Sequence, residues 1–125
     1  MLFTILLYDA DEAVAALSKE DDDALVARHL AVQEKLAAAG RLGPVVRLSA
    51  SGTAKTYRPR RAAVTDGPFA ETKEQLLGLY VVDCPTIDDA VDIARSLPVL
   101  STVFEVRPVA LYFPGGEIAP DVVGG

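Results

Sequence analysis

Cysteine and histidine are almost missing from this chain of 125 residues, since each occurs once, as Cys84 and His29. A single cysteine excludes a disulfide within the chain, and one cysteine with one histidine does not make a recognisable zinc ligand set. We therefore expect no metal site. A lone free thiol is also typical of proteins in a reducing cytoplasm.

Positive charge is scarce as well, because 12 lysines and arginines stand against 18 aspartates and glutamates, for a formal net charge of −6. A general nucleic-acid-binding protein needs a positive surface for its phosphate contacts, so we expect no nucleic-acid partner. The one basic cluster comprises Lys55, Arg58, Arg60 and Arg61. We interpret it as the solvated tip of a hairpin, with an anion site as the alternative.

Long apolar runs, leader features and nucleotide loops are absent too. No apolar stretch approaches the length needed to cross a bilayer. Residues 1–8 lack the basic start and the small-residue cleavage site of a signal peptide. The pair Gly115-Gly116 is too short to bind phosphate, and no glycine-rich nucleotide loop occurs. We expect a cytoplasmic protein with no membrane contact and no organic cofactor.

Hydrophobic periodicity and turn residues predict one α+β domain near the commonest domain size. The strongest helical segment begins near Asp21 with Ser18 as its cap and ends at Gly40, and Thr86 is the predicted cap of a later helix. The predicted elements, in order, are a strand at 2–8, a short helix within 9–17, a helix at 21–39, a strand at 44–50, a hairpin at 53–65, a strand at 76–84, a helix at 86–96 and a strand at 103–109.

Two of the predicted strands are apolar on both faces, namely residues 2–8 and 76–82. Two amphipathic helices can cover only one face of a four-stranded sheet, so the other face needs a second cover. Packing against the sheet of a second copy would bury it, which predicts a homodimer. The alternative is that the hairpin at 53–65 and the C-terminal tail fold over that face within one subunit.

A rigid turn precedes the most apolar strand. Asp66 can hydrogen-bond to its own downstream backbone, Gly67 allows a positive φ, and Pro68 fixes the φ that follows. Such a turn holds Asp66 and Phe69 in fixed directions. On physical grounds alone, the favoured interpretation is only a tight connection into a central strand.

The sequence Asp66-Gly67-Pro68-Phe69, with the charged continuation at 71–78, resembles the signature of the DGPF branch of the YCII-related proteins. The resemblance extends over residues 1–113, with the hairpin at about 53–65 as an insertion, and leaves 114–125 as a C-terminal tail. It implies a ferredoxin-like βαββαβ sheet with two helices on one face. It further implies a subunit of the dimeric α/β barrel superfamily, found in bacterial cytoplasm and without an established substrate.

His29 lies in the apolar stripe of the predicted helix, together with Leu25, Val32 and Leu36, at 100° per residue. Its side chain should therefore point toward the core or toward a cavity at the core's edge. A buried imidazole needs hydrogen-bond partners, and a satisfied core histidine is the alternative to a functional one. Resemblance to the YCII-related proteins implies that His29 pairs with an aspartate, which here corresponds to Asp66.

A His29–Asp66 pair could act in acid–base catalysis, because the aspartate would fix the ring tautomer and leave the other nitrogen free for proton transfer. It would suit isomerisation or elimination of a small cyclic or carbonyl substrate. No activated nucleophile is evident. The predicted pocket residues are Phe69, Glu71, Lys73 and Tyr8, although a charged, solvated turn would also explain Glu71 and Lys73.

Three classes of function remain open. The first is a cofactor-independent small-molecule enzyme of isomerase or lyase type, which we favour. The second is a ligand-binding or stress-sensing protein without catalysis. The third is an interaction module, toward which the resemblance points because DGPF proteins are often encoded near alternative sigma factors. A fold of this kind hosts many activities and does not decide among them.

Overall fold

The computed structural model describes residues 1–118. The helices and strands in this part of the chain are β1 (Leu2–Asp9), α1 (Asp11–Ala15), α2 (Lys19–Ala38), β2 (Leu42–Arg47), β3 (Lys55–Arg58), β4 (Ala63–Asp66), β5 (Gln75–Asp83), α3 (Ile87–Ser96) and β6 (Val103–Pro108). Single 3-10 turns at Ser51–Thr53 and Pro59–Arg61 lie on either side of β3. No helix among these residues combines the length and apolarity needed to cross a membrane.

Four strands form the main sheet in the order β2-β5-β1-β6, and every neighbouring pair is antiparallel. At its centre, Ile5 of β1 lies opposite Tyr80 of β5 and Val106 of β6. The remaining strands of this part of the chain, β3 and β4, pair with each other and with no other strand described. With that hairpin and the short helix α1 set aside, the chain has the βαββαβ order of a ferredoxin-like α+β fold, so the predicted fold class is confirmed.

Both predicted helix caps are confirmed. The Ser18 hydroxyl accepts a hydrogen bond from the backbone N–H of Asp21 at 3.0 Å, although α2 begins two residues earlier than predicted. At the start of α3, Thr86 and Asp89 form a reciprocal capping box. These bonds satisfy backbone N–H groups that a helix leaves unpaired in its first turn.

The core lies between the helices and one face of the main sheet. Its largest fully buried apolar side chains are Phe3, Ile5 and Val82. Alternate residues of the same strands point to the opposite face, where Leu6, Leu79 and Val81 are only half-buried. We call this second surface the open face. The prediction that the central strands are apolar on both sides is confirmed.

Gly67 has a φ of 99°, as the rigid turn predicts. The hairpin fixes it from both sides, because its N–H donates to the carbonyl oxygen of Ala54 at 2.7 Å and its own carbonyl accepts from the Thr56 hydroxyl at 2.9 Å. Of the predicted tail at 114–125, residues 119–125 lie outside the described part of the chain, and residues 111–118 are exposed and irregular.

Candidate functional site

His29 lies in the middle of α2 and reaches the covered face of the sheet, the direction that the apolar stripe predicts. Its Nδ1 atom is 2.7 Å from the hydroxyl oxygen of Tyr80. The two rings are stacked, with centroids 5.9 Å apart and an interplanar angle of 29°. His29 is half-buried, so part of the residue remains accessible to a ligand.

Tyr80 and Gln33 complete the site, and neither was predicted. Tyr80 is 3% exposed in the centre of β5, with Ile5 and Val45 as its strand neighbours. The side-chain amide of Gln33 donates to the Tyr80 hydroxyl at 3.1 Å. Gln33 follows His29 by four residues, the spacing that places two side chains on one helix face, so this member could have been found from sequence.

The hydrogen-bonded chain favours one tautomer of His29. The Gln33 amide nitrogen can only donate, so the Tyr80 oxygen accepts from it. Within residues 1–118 the Tyr80 hydroxyl has no further partner apart from His29. The bond between Tyr80 and Nδ1 can run in either direction with the ring tautomer. Donation of the Tyr80 proton to Nδ1 gives every donor of the chain a partner, and it would place the hydrogen of the neutral ring on Nε2.

Burial and nearby cations favour the neutral ring. Burial lowers the pKa of His29 below its ordinary value, and the charges of Arg47 and Arg28 lower it further. Arg47 is itself held by two hydrogen bonds to the Asp22 carboxylate, the shorter of them 2.9 Å. Burial also raises the pKa of Tyr80, which the Gln33 amide partly offsets. His29 and Tyr80 thus form a neutral pair at pH 7.

Asp66 has a different partner. Its side chain is 85% exposed, and its carboxylate accepts from Lys55 Nζ at 2.7 Å across the β3–β4 hairpin. His29 Nδ1 is engaged by Tyr80. The structure therefore places the two predicted catalytic residues in separate hydrogen bonds and shows no direct bond between them.

Within residues 1–118, none of the four predicted pocket residues forms a hydrogen bond with His29. Phe69 is exposed on the turn, with the Arg58 guanidinium 5.6 Å from its ring centroid. Glu71 and Lys73 are exposed in the loop before β5. Tyr8 points to the open face, where its hydroxyl donates to Glu105 at 3.4 Å. Tyr8 and His29 consequently lie on opposite faces of the sheet.

Comparison with known proteins identifies the family, since the YCII-related domain matches residues 1–112. The chain belongs to the YCII-related family. It is also 47% identical over 120 residues to an uncharacterised protein of Rhizobium meliloti (strain 1021), an alignment that covers 92% of this chain and 97% of that protein. The family and this relative agree with the predicted recognition.

A second polar cluster in this YCII-related chain surrounds Asp9, which is fully buried at the end of β1. Its carboxylate accepts from the Ala10 N–H at 2.8 Å and from the hydroxyls of Ser101 and Thr102 at 2.5 and 2.9 Å. Burial alone would raise the pKa of Asp9, but the donors, Ser101 foremost, lower it below the ordinary value. The cluster ties β1 to the loop before β6.

No group of three or more histidine, cysteine, aspartate or glutamate side chains suited to a metal lies among residues 1–118 of this YCII-related chain. Cys84 is buried, and burial raises the pKa of its thiol above the ordinary value. A thiol of this kind is a packing residue and a poor nucleophile. The polar side chains joined by hydrogen bonds at the site are His29, Tyr80 and Gln33.

Proposed function

We propose that this YCII-related protein is a small-molecule enzyme of isomerase or lyase type in which His29 handles the substrate's reacting oxygen. The observation that carries the proposal is the hydrogen-bonded chain from Gln33 through Tyr80 to His29 Nδ1. Tyr80 is buried and orients the half-exposed, neutral imidazole of His29. This arrangement is more typical of a residue that transfers protons than of a histidine that only packs in the core.

The tautomer defines the role. With its hydrogen on Nε2, His29 offers an N–H donor to a carbonyl oxygen and stabilises the negative charge that develops there when a neighbouring carbon loses a proton. The acceptor of that proton would be a carboxylate. The sequence predicted Asp66 as the carboxylate that orients His29; we now propose it as the base instead, and Lys55, which binds its carboxylate, would have to release it.

Turnover and binding can be separated in one screen of small cyclic acids, quinols and lactones. We expect turnover to be abolished in His29→Gln and strongly reduced in Tyr80→Phe and Asp66→Asn. Tyr57→Phe is the matched control, since Tyr57 is an exposed tyrosine of β3. Unchanged turnover in His29→Gln would refute the proposal. An unaffected Asp66→Asn would remove Asp66 from the mechanism and leave His29 in it.

A binding role without catalysis is the second candidate, supported by the location of Phe69, Glu71 and Lys73 on the surface. A ligand that raises the melting temperature saturably without being converted would identify a small-molecule-binding protein. Failure of every ligand, with capture of a sigma factor by the purified chain, would identify a regulatory interaction module.

We infer that the working form is a cytoplasmic homodimer. The support is the open face, on which Leu6, Leu79 and Val81 stay half-buried in a single subunit and exposed Val46 and Val103 extend the patch. Contiguous apolar surface of this kind marks an interface. A two-fold axis would bring the open faces of two copies together.

A further inference from the structure

A concave surface lies away from His29, between α3 and β6. It encloses about 520 Å³. Its walls are mainly apolar, with Ile87, Val91 and Ala94 from α3, Val99 from the following loop, and Phe104 and Val106 from β6. Arg95 supplies the charged group at this surface. We call it the α3–β6 groove.

An unpaired strand edge borders the groove. Among residues 1–118, β6 is the last strand of the main sheet and pairs with β1 on one side only. Its other edge offers a row of backbone N–H and C=O groups to an added strand. An open edge beside an apolar groove is the arrangement by which sheets accept an extended peptide, since backbone bonds hold the peptide and alternate side chains fill the groove.

Residues 111–118, which we call the C-terminal segment, have matching chemistry. Leu111, Phe113 and Ile118 are 79%, 82% and 88% exposed. Leu111 and Phe113 are two residues apart, so in an extended segment both point to one side. The one charged residue of the segment is Glu117, and the charged residue of the groove is Arg95. The groove and the segment thus match in apolar character, and Glu117 would join an Arg95 that already bonds the Asp92 carboxylate at 2.9 Å.

We propose that the C-terminal segment of a second copy of this chain adds to the β6 edge, with Leu111 and Phe113 in the α3–β6 groove and Glu117 beside Arg95. Pro114 lacks an N–H and limits the pairing to a short strand. In a two-fold dimer each copy gives its segment to the other. This exchange is separate from the proposed reaction at His29.

The path of the chain favours a second copy over the segment's own groove. The N–H of Val109 donates to the carbonyl oxygen of Leu2 at 2.9 Å, which continues the pairing of β6 with β1 on the inner edge. To reach the outer edge of its own β6, the chain would have to reverse between Val109 and Leu111. A neighbouring molecule can receive the segment without that reversal.

Disulfide trapping between full-length chains tests the exchange. One tagged protein carries Val99→Cys in the groove and a second, differently tagged, carries Phe113→Cys in the segment. After mixing and mild oxidation we expect a disulfide-linked heterodimer at least five times more abundant than with Lys19→Cys, an exposed position on α2. Native Cys84 is buried and common to all three proteins.

Equal trapping with Val99→Cys and Lys19→Cys would overturn the proposal. So would a double variant, Val99→Cys with Phe113→Cys, that closes its disulfide within one chain at micromolar concentration. As an independent measurement, Val99→Asp should weaken self-association at least tenfold. Val64→Asp, at an exposed valine of the β3–β4 hairpin, should leave it unchanged, and equal effects of the two variants would also contradict the exchange.

Discussion

At the scale of single residues, Asp9 is a carboxylate that three donors stabilise in its ionised form although it is fully buried. Asp9→Asn should lower the free energy of unfolding at pH 7 by about 1–3 kcal/mol, because an amide cannot satisfy all three donors. Chemical denaturation measures it. Glu34→Gln, at an exposed position of α2, should leave the free energy of unfolding unchanged.

Lowering the pH should reduce the difference in unfolding free energy between the wild-type protein and Asp9→Asn. The folded pKa of Asp9 is lowered, so its contribution is complete above the unfolded value of about 3.9 and is lost as the pH falls through the folded pKa. The stabilities of the wild-type protein and of Asp9→Asn should therefore converge below about pH 4. A gap that stays constant down to pH 2 would mean that Asp9 is not ionised in the native state.

Gly67 offers a second test at this scale. Its φ of 99° lies where side chains are strained, although nothing lies within 4 Å of an added Cβ. Gly67→Ala should therefore destabilise the protein by about 1–3 kcal/mol through backbone strain alone. Gly52→Ala is the control, since Gly52 also has open space around it but no positive φ. Equal denaturation midpoints for the two variants would contradict the strain argument.

The helix caps and the turn could be predicted from the sequence, because Ser18, Thr86 and Gly67 act through hydrogen bonds or backbone dihedrals within a few residues. The contact between His29 and Tyr80 could not be predicted in this way. Tyr80 meets His29 across 51 residues, and only the register of β5 under α2 decides that contact. A strand that is apolar on both faces gives no sign of which aromatic side chain faces the helix.

At the scale of secondary-structure elements, β2 and β5 approach each other unusually closely at Gly78. A Cβ built there would be 2.2 Å from the backbone carbonyl oxygen of Val46, which cannot rotate away. Gly78→Ala should push β2 off β5, at a cost of about 1–3 kcal/mol. Amide exchange should accelerate in β2 first. In the control variant Gly116→Ala, whose added Cβ has open space around it, the amide hydrogens of β2 should exchange as fast as in the wild-type protein.

The whole molecule should be a dimer in dilute solution, since its open face keeps apolar side chains in contact with water. Light scattering at micromolar concentration should give about twice the 13.2 kDa of one chain. Leu79→Lys, on the open face, should shift the mass toward the monomer. A wild-type mass near 13.2 kDa would contradict the sheet-to-sheet association and favour a cover built within one subunit.

The β3–β4 hairpin has a consequence for how this chain can change over time. Its two strands pair with no other strand of residues 1–118. The hairpin leaves the main sheet after β2 and returns to it at β5, and these two strands bond directly to each other. Residues can therefore be gained or lost at its tip around Pro59–Arg61 without moving the register of any core strand. Relatives should differ in length here before they differ anywhere in the main sheet.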